Sequence, residues 1–314
     1  MSSYNQPEVF LAKVTEYTSA DFYPSVKALL EHTVNPKGLN GQRVMLKPNL
    51  ISAKGGNLAC THPEVILAVA RWFLENGARV QVGDSPAFGT AETVLDSLQV
   101  ASTLRTLGVQ IVNFNRGVSK VLPGGMQVKV AAAAVECDLL VNLPKCKAHA
   151  QARITLAMKN YYGCVVGLRK AWAHMQHGGK NGRFAELVVQ LPSVLAPSVS
   201  LMDGIIAMHR TGPVHGVAFP AGVMAAAQNA VALDTVLMGV LNITPQSCPL
   251  WVAASELGME GTAAGPFQWL TGEPQGYIVK DFEVPSVLMP IRFNPFRFIR
   301  SSVRRVLLSR KSAE

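Results

Sequence analysis

Short apolar runs alternate with stretches of helical periodicity from Val9 to Leu143, and this alternation constrains the fold more than any other feature. Strands are predicted at Val9–Val14, Val44–Leu46, Arg79–Gly83, Val109–Phe114 and Leu139–Leu143. The segment Asp21–Thr33 carries Val26, Leu29, Leu30 and Thr33 at helical spacing, with Asp21 placed to cap it. A second helix starts at Pro63, whose fixed φ suits a first turn, with Thr61 or His62 as cap and Gly77 as stop. A third is expected over Thr90–Leu107, ahead of Gly108. Gly117–Val130 departs from the pattern: Pro123-Gly124-Gly125 between alternating residues predicts a β-hairpin. Ala131–Cys137 reads as a short helix. Strands alternating with helices of this length predict right-handed βαβ units, hence an α/β fold with a mostly parallel sheet and helices on both faces.

The second half is less regular. Phe184–Leu195, Val231–Leu241 and Leu250–Leu257 read as helices, and Val199–Met202, Ala221–Ala227 and Tyr277–Val284 as strands. Residues 1–290 are assigned to one α/β domain, with a division into two lobes left open, and 291–314 to a tail. In the tail, Asn294-Pro295 opens a helix with Phe296, Ile299, Val303, Val306 and Leu307 on one face. Arg297, Arg300, Arg304 and Arg305 fall mostly on the other. Such a basic amphipathic helix lies on an anionic membrane surface, docks on an acidic partner, or packs on its own domain.

Composition narrows the function classes. A chain of 314 residues buries roughly three quarters of its unfolded surface, so it needs no staples. With 49% hydrophobic and 16% charged residues it is no disordered chain. Its five cysteines, at 60, 137, 146, 164 and 248, form no CxxC pair, and the N-terminus shows no leader pattern. Reduced thiols in a cytoplasmic setting are expected, with peripheral membrane attachment through the tail as the variant. The most apolar window, Val217–Ile243, is broken by Pro220, Gln228, Asn229 and Asp234, so no membrane span is predicted. The net charge of +9 is misleading: residues 292–314 hold seven Arg or Lys against one Glu, which leaves only +3 for the body. That balance argues against nucleic acid as a partner.

The stretch from Asp138 to Gly163 carries most of the chemistry. Its apolar run Leu139–Leu143 is stopped by Pro144, and Lys145, Cys146, Lys147 and His149 follow at once. Ile154–Tyr162 then reads as a helix presenting Lys159 and Asn160. Polar residues recur after the other strands: Lys47 and Asn49, Asp84 and Ser85, Asn113 and Asn115, and Asp203. In open parallel sheets the ligand crevice lies outside the carboxyl ends of the strands. Lys47, Lys145 and Lys159 would there supply positive potential for a carboxylate or phosphate, aided by the helix N-terminus at Pro63. Asp84, Asp203 and His149 suit proton transfer, or serve to hold the lysines.

Other signatures are weaker or missing. His174 and His177 are spaced to share a metal, with Cys164 or His149 as third ligand, but no HExxH, CxxC or paired-carboxylate pattern supports this and no metal ligand is assigned. Gly178–Gly182 is a flexible loop that suits a lid or a simple turn. There is no GxGxxG after the first strand, no GxxxxGK[ST] and no GxSxG elbow.

KPNL at 47–50, THPEV at 61–65, VGDSP at 82–86, LPKCKAH at 143–149, MKNYYG at 158–163, MDGI at 202–205, GP at 212–213 and LDTV at 233–236 occur in a specific order. By that ordered set the chain resembles the domain-of-unknown-function 362 family, over a core of about residues 44–245. The family motifs map onto Lys47, Asn49, His62, Asp84, Ser85, Lys145, His149, Lys159, Asn160 and Asp203. Some members carry ferredoxin-like cysteine clusters, which implies iron–sulfur company; this chain lacks those clusters. Cys146 and Cys164 stand where related chains have aliphatic residues, as a thiol site or as small apolar substitutions.

The leading expectation is an enzyme binding a small anionic metabolite, with His62, Asn49, Ser85, Asn160 and the lysines as ligand-binding groups and Asp84, His149 and Asp203 as catalytic ones. Two alternatives stand beside it: an accessory redox or metal-centre protein, and a non-catalytic module docked on a membrane or protein through its tail. The cofactor is left unassigned.

Overall fold

A computed structural model describes residues 7–53, 56–166, 182–263, 265–271 and 278–289. Its strands are β1 (Val9–Lys13), β2 (Arg43–Pro48), β3 (Arg79–Asp84), β4 (Gln110–Asn113), β5 (Gly117–Val121), β6 (Gln127–Ala131), β7 (Leu139–Leu143), β8 (Lys145–His149), β9 (Arg153–Thr155), β10 (Ser198–His209), β11 (Val217–Phe219), β12 (Val223–Ala227) and β13 (Phe267–Thr271). The central sheet runs β13-β1-β12-β10-β7-β2-β3-β4. From β10 to β4 all neighbours are parallel, as the strand–helix alternation predicts. β12 then runs antiparallel to both β10 and β1, and β13 adds parallel to β1.

Side chains alternate between two cores, one on each face. Val9, Leu11, Met45, Leu140, Met202 and Ala225 pack with the helices Arg183–Gln190, Ala230–Val240 and Pro249–Glu256. Phe10, Ala12, Val44, Leu46, Leu201 and Ala226 pack with Phe22–Thr33, Pro63–Glu75, Ala91–Ser97 and Ala101–Thr106. Helices thus cover both faces, and the strands are apolar on both sides as buried parallel strands must be.

The Pro63–Glu75 helix begins as its sequence dictates. His62 is the cap, its Nδ1 accepting from Glu64 N, Pro63 takes the first turn, and Gly77 leaves with a left-handed φ of 80°. The predicted Thr90–Leu107 helix is two helices, because Gln99 takes a left-handed φ of 58° between them. The Gly117–Val130 hairpin forms as β5 and β6.

Three expectations fail in ways that matter for the site. Pro144 does not end the strand's course: Lys145–His149 is β8, which continues the line of β7 past Pro144 and pairs with the second half of β10. The strand expected at Val199–Met202 does not end there: β10 runs through Asp203-Gly204 for 12 residues in all, and the bare Cα of Gly204 lets the Val223 carbonyl approach closely. Ile154–Tyr162 is no single helix but β9, a turn of helix at Ala157–Asn160 and a 3-10 turn at Tyr161–Cys164. The strand expected at Tyr277–Val284 is also absent among its described residues, and β13 takes the edge instead. The amphipathic tail, His174, His177 and residues 178–181 lie outside the described residues.

Candidate functional site

Strand register brings two lysine–aspartate pairs into the sheet. Lys145 and Asp203 are cross-strand partners on β8 and β10, and Lys145 Nζ lies 2.9 Å from Asp203 Oδ2. Lys47, near the end of β2, reaches Asp84, the last residue of β3, at 3.0 Å. All four side chains are 4% exposed or less. Charges so deep require complete partners, and both carboxylates have them. Asp84 accepts from Leu50 N at 2.9 Å and Ser85 N at 2.8 Å. Asp203 accepts from His62 N at 2.9 Å and from the Tyr17 hydroxyl at 2.7 Å.

An amide ladder runs inward from the first pair. Lys47 Nζ donates to Asn160 Oδ1 at 3.3 Å, and Asn49 Nδ2 donates to the same oxygen at 2.7 Å. Asn160 Nδ2 donates to Asn142 Oδ1 at 2.8 Å, and Asn142 bonds Ser200 and the Ala157 carbonyl in turn. Lys147 Nζ joins from β8, donating to Asn49 Oδ1 and to the Ala59 carbonyl, both at 2.6 Å. Burial brings the Lys147 ammonium down to about 7; Lys159 and Lys145 push the same way, while Cys60 and Asp84 oppose. Lys159 sits apart, half-buried, its Nζ 4.8 Å from the Tyr162 ring centroid and 5.8 Å from that of Phe184. Burial, then the Lys47 charge, brings it down to about 8.

Gly163 closes over the first pair. A Cβ there would fall on Asp84 Oδ1 and Lys47 Nζ, so only glycine admits this approach. The turn carrying Lys159 and Asn160 is anchored by Asp234, which accepts from Ala157 N at 2.8 Å and Met158 N at 3.0 Å. Burial lifts the Asp234 carboxyl to about 7, against the pull of those two N–H groups.

Tyr17, in the turn after β1, staples the second pair. Its hydroxyl donates to Asp203 and accepts from Lys145 Nζ at 3.0 Å and Ile206 N at 3.2 Å. Its ring stacks on His62, 3.6 Å between centroids and 6° from parallel. Burial, then the Asp203 charge, holds the phenol above its ordinary range, so it stays a donor. Burial, and the Lys145 charge, bring His62 down to about 4 despite Asp203. At neutral pH its imidazole is therefore uncharged, with Nδ1 used by the helix cap and the proton on Nε2.

Of the residues singled out from sequence, Lys47, Asn49, Asp84, Ser85 and Asn160 meet around the first pair, and His62, Lys145 and Asp203 around the second. Lys159 stands beside the first. His149 is two residues beyond Lys147, and its Nδ1 accepts from Gln151 N and Ala152 N, both at 3.1 Å, to hold the β8–β9 turn. Asn113 accepts from Ala91 N and caps a helix instead of lining the site. Sequence reasoning missed Tyr17, Asn142, Gly163 and Asp234 as site groups. Gly163 and Asp234 lie inside motifs already noticed, MKNYYG and LDTV; Asn142 lies in the apolar run; Tyr17 carried no signal. Cys146 and Cys164 are fully buried in an apolar core, and burial pushes the Cys146 thiol up to about 12, so they act as small apolar groups. Among the described residues no group of three His, Cys, Asp or Glu is placed to hold a metal.

Fold and site together define a class: an α/β protein with a mostly parallel sheet whose carboxyl edge holds two buried lysine–aspartate pairs, one of them joined to a ladder of amides. The chain belongs to the family described as domain of unknown function DUF362, whose model matches residues 44–239. It is 36% identical over 304 residues to a thylakoid-associated protein of Synechocystis, a match spanning 94% of this chain and 93% of that protein. Among solved structures it is similar to the lactate racemase apoprotein of Thermoanaerobacterium thermosaccharolyticum, with a TM-score of 0.47 at 12% identity, over 74% of this chain and 57% of that one. A structural-genomics protein from Thermotoga maritima gives a TM-score of 0.42 at 12% identity, over 66% and 55%. The chain thus spans little more than half the length of either.

Proposed function

We propose that this chain is an enzyme that binds a small anionic metabolite, a carboxylate or phosphate, at the carboxyl edge of its sheet and moves a proton on it. The observation that carries this reading is the gathering of Lys47 and Lys147 on the amides of Asn49 and Asn160, with Lys159 beside them and Lys145 paired to Asp203 on the neighbouring strand. Lysines that far from water serve a structure poorly unless they also meet a ligand. Asp84 and Asp203 are saturated with donors, so their part is to hold Lys47 and Lys145 in place. Lys147 and Lys159, whose amines titrate near neutrality, are suited to take or give the proton.

Native mass spectrometry of the chain from its source should show a co-purified anion. Binding of carboxylates and phosphates, followed by calorimetry, should weaken about tenfold or more in Lys159→Met while the melting temperature stays within a few degrees. Absence of binding by every anion tried, or unchanged binding in that variant, removes the reading.

A second reading concerns location. Among the described residues no helix is long and apolar enough to cross a membrane. The tail nevertheless carries seven Arg or Lys between 292 and 314, and a relative 36% identical is thylakoid-associated. These two facts favour peripheral attachment to an anionic membrane through the tail. Flotation on vesicles with anionic lipid should be lost when 292–314 are removed; equal flotation of both forms counts against it.

A further inference from the structure

Four ammonium groups lie at the sheet edge, and among the described residues two of them have a carboxylate partner. Lys47 has Asp84 and Lys145 has Asp203. Lys147 bonds two neutral oxygens, those of Asn49 and Ala59. Lys159 has no hydrogen-bond acceptor among the described residues and rests on the rings of Tyr162 and Phe184. With all four protonated the cluster holds an excess of two positive charges, and Lys47, Lys145 and Lys147 are each 1% exposed or less. A buried excess of that size is relieved either by a ligand or by loss of protons. Burial first, and neighbouring lysines after it, bring Lys147 down to about 7 and Lys159 down to about 8.

Resting on the anion site proposed above, we infer that its ligand is a dianion, a phosphate monoester or a dicarboxylate, with its two charges set against Lys147 and Lys159. Asn49 is half-exposed beside Lys147: it bonds Lys147 through Oδ1 and, through Nδ2, Asn160, the residue next to Lys159 in sequence. Gly163, also half-exposed, packs over Lys47 and Asp84 with no side chain of its own. Two negative charges arriving here favour the charged amines, so both lysines recover their protons as the ligand binds. Lys145, Lys47, Asp84 and Cys60 are the charged and titratable groups that act on these amines, and Tyr162 lies against Lys159.

The test is calorimetry on the full chain near pH 8.5, roughly above both lysine values, in two buffers of different ionisation enthalpy. Methyl phosphate and succinate serve as dianions and acetate as the monoanion. The dianions should bind at least about tenfold tighter than acetate and take up about one to two protons per site. Lys159→Met should lower that uptake by about one proton and shrink the preference for dianions about tenfold. Acetate binding as tightly as the dianions, or heats independent of buffer, overturns this inference while leaving an anion site in place. Failure of all three probes to bind overturns both.

Discussion

The two buried ion pairs are chemically alike and held in different ways. Lys47–Asp84 is held from within: its carboxylate is fixed by the backbone N–H groups of Leu50 and Ser85, and Gly163 closes over it. Every one of those residues lies inside the family match at 44–239. Lys145–Asp203 is held partly from without: His62 N–H binds Asp203 from inside the match, but the phenol of Tyr17, 186 positions from Asp203 and outside that match, bonds both members. All the partners named for the first pair therefore lie in the family core, and the second also leans on the segment after the amino-terminal strand. Of the second pair's partners, the phenol is the one that a single side-chain substitution removes.

The comparison breaks most sharply at the carboxylates. Asp203→Ala strands Lys145, Tyr17 and the His62 N–H together and should cost about 3–5 kcal/mol, read by chemical denaturation. Asp203→Leu combined with Lys145→Met should recover part of that loss, because no buried charge is left alone; a double variant as unstable as the single one contradicts the account.

Tyr17→Phe is the next largest, at about 1.5–3 kcal/mol, because the lost hydrogen bond is to a charged group. Gly163→Ala should cost about 1–3 kcal/mol by forcing Lys47 and Asp84 apart. Combining these two sharpens the comparison: if the pairs are independent, the losses add to within about 0.5 kcal/mol. A coupling well above that would make them one unit.

The smallest effect is in pH. His62 is depressed to about 4 in the folded chain, from an ordinary value of about 6.5. Its contribution to stability is present above about 6.5 and is lost as pH falls toward about 4. His62→Asn keeps an oxygen to cap the helix but removes the titration. Thermal melts between about pH 7 and 4 should fall less steeply in this variant, and identical slopes would place the acid sensitivity elsewhere.

Most of the parallel sheet was legible because each strand announced itself as a short apolar run before a helix. What misled was polarity. Lys145, Lys147 and His149 stand at alternate positions, a strand pattern, yet the preceding Pro144 was read as the end of the strand and their charge as ligand chemistry. Asp203-Gly204 misled in the same way, since an Asp-Gly pair inside a strand is paired only through contacts with Lys145, Tyr17 and His62 that local sequence does not display. Phe267–Thr271 and Tyr277–Val284 are equally strand-like in composition, and only the partnership with β1 selects the first. The site lysines were visible through their motifs. Their pairing state was not, because it depends on register between strands 37 to 58 residues apart.

One consequence follows from where β1 sits. It lies between β12 and β13, so a segment made first is seated by segments made near residues 223–227 and 267–271. On the ribosome, then, β1 must wait until residues 223–227 and 267–271 have been made before it finds its neighbours. Tyr17 waits with it. The lock on Lys145 and Asp203 closes only after β12 has emerged, long after Lys145 itself was made.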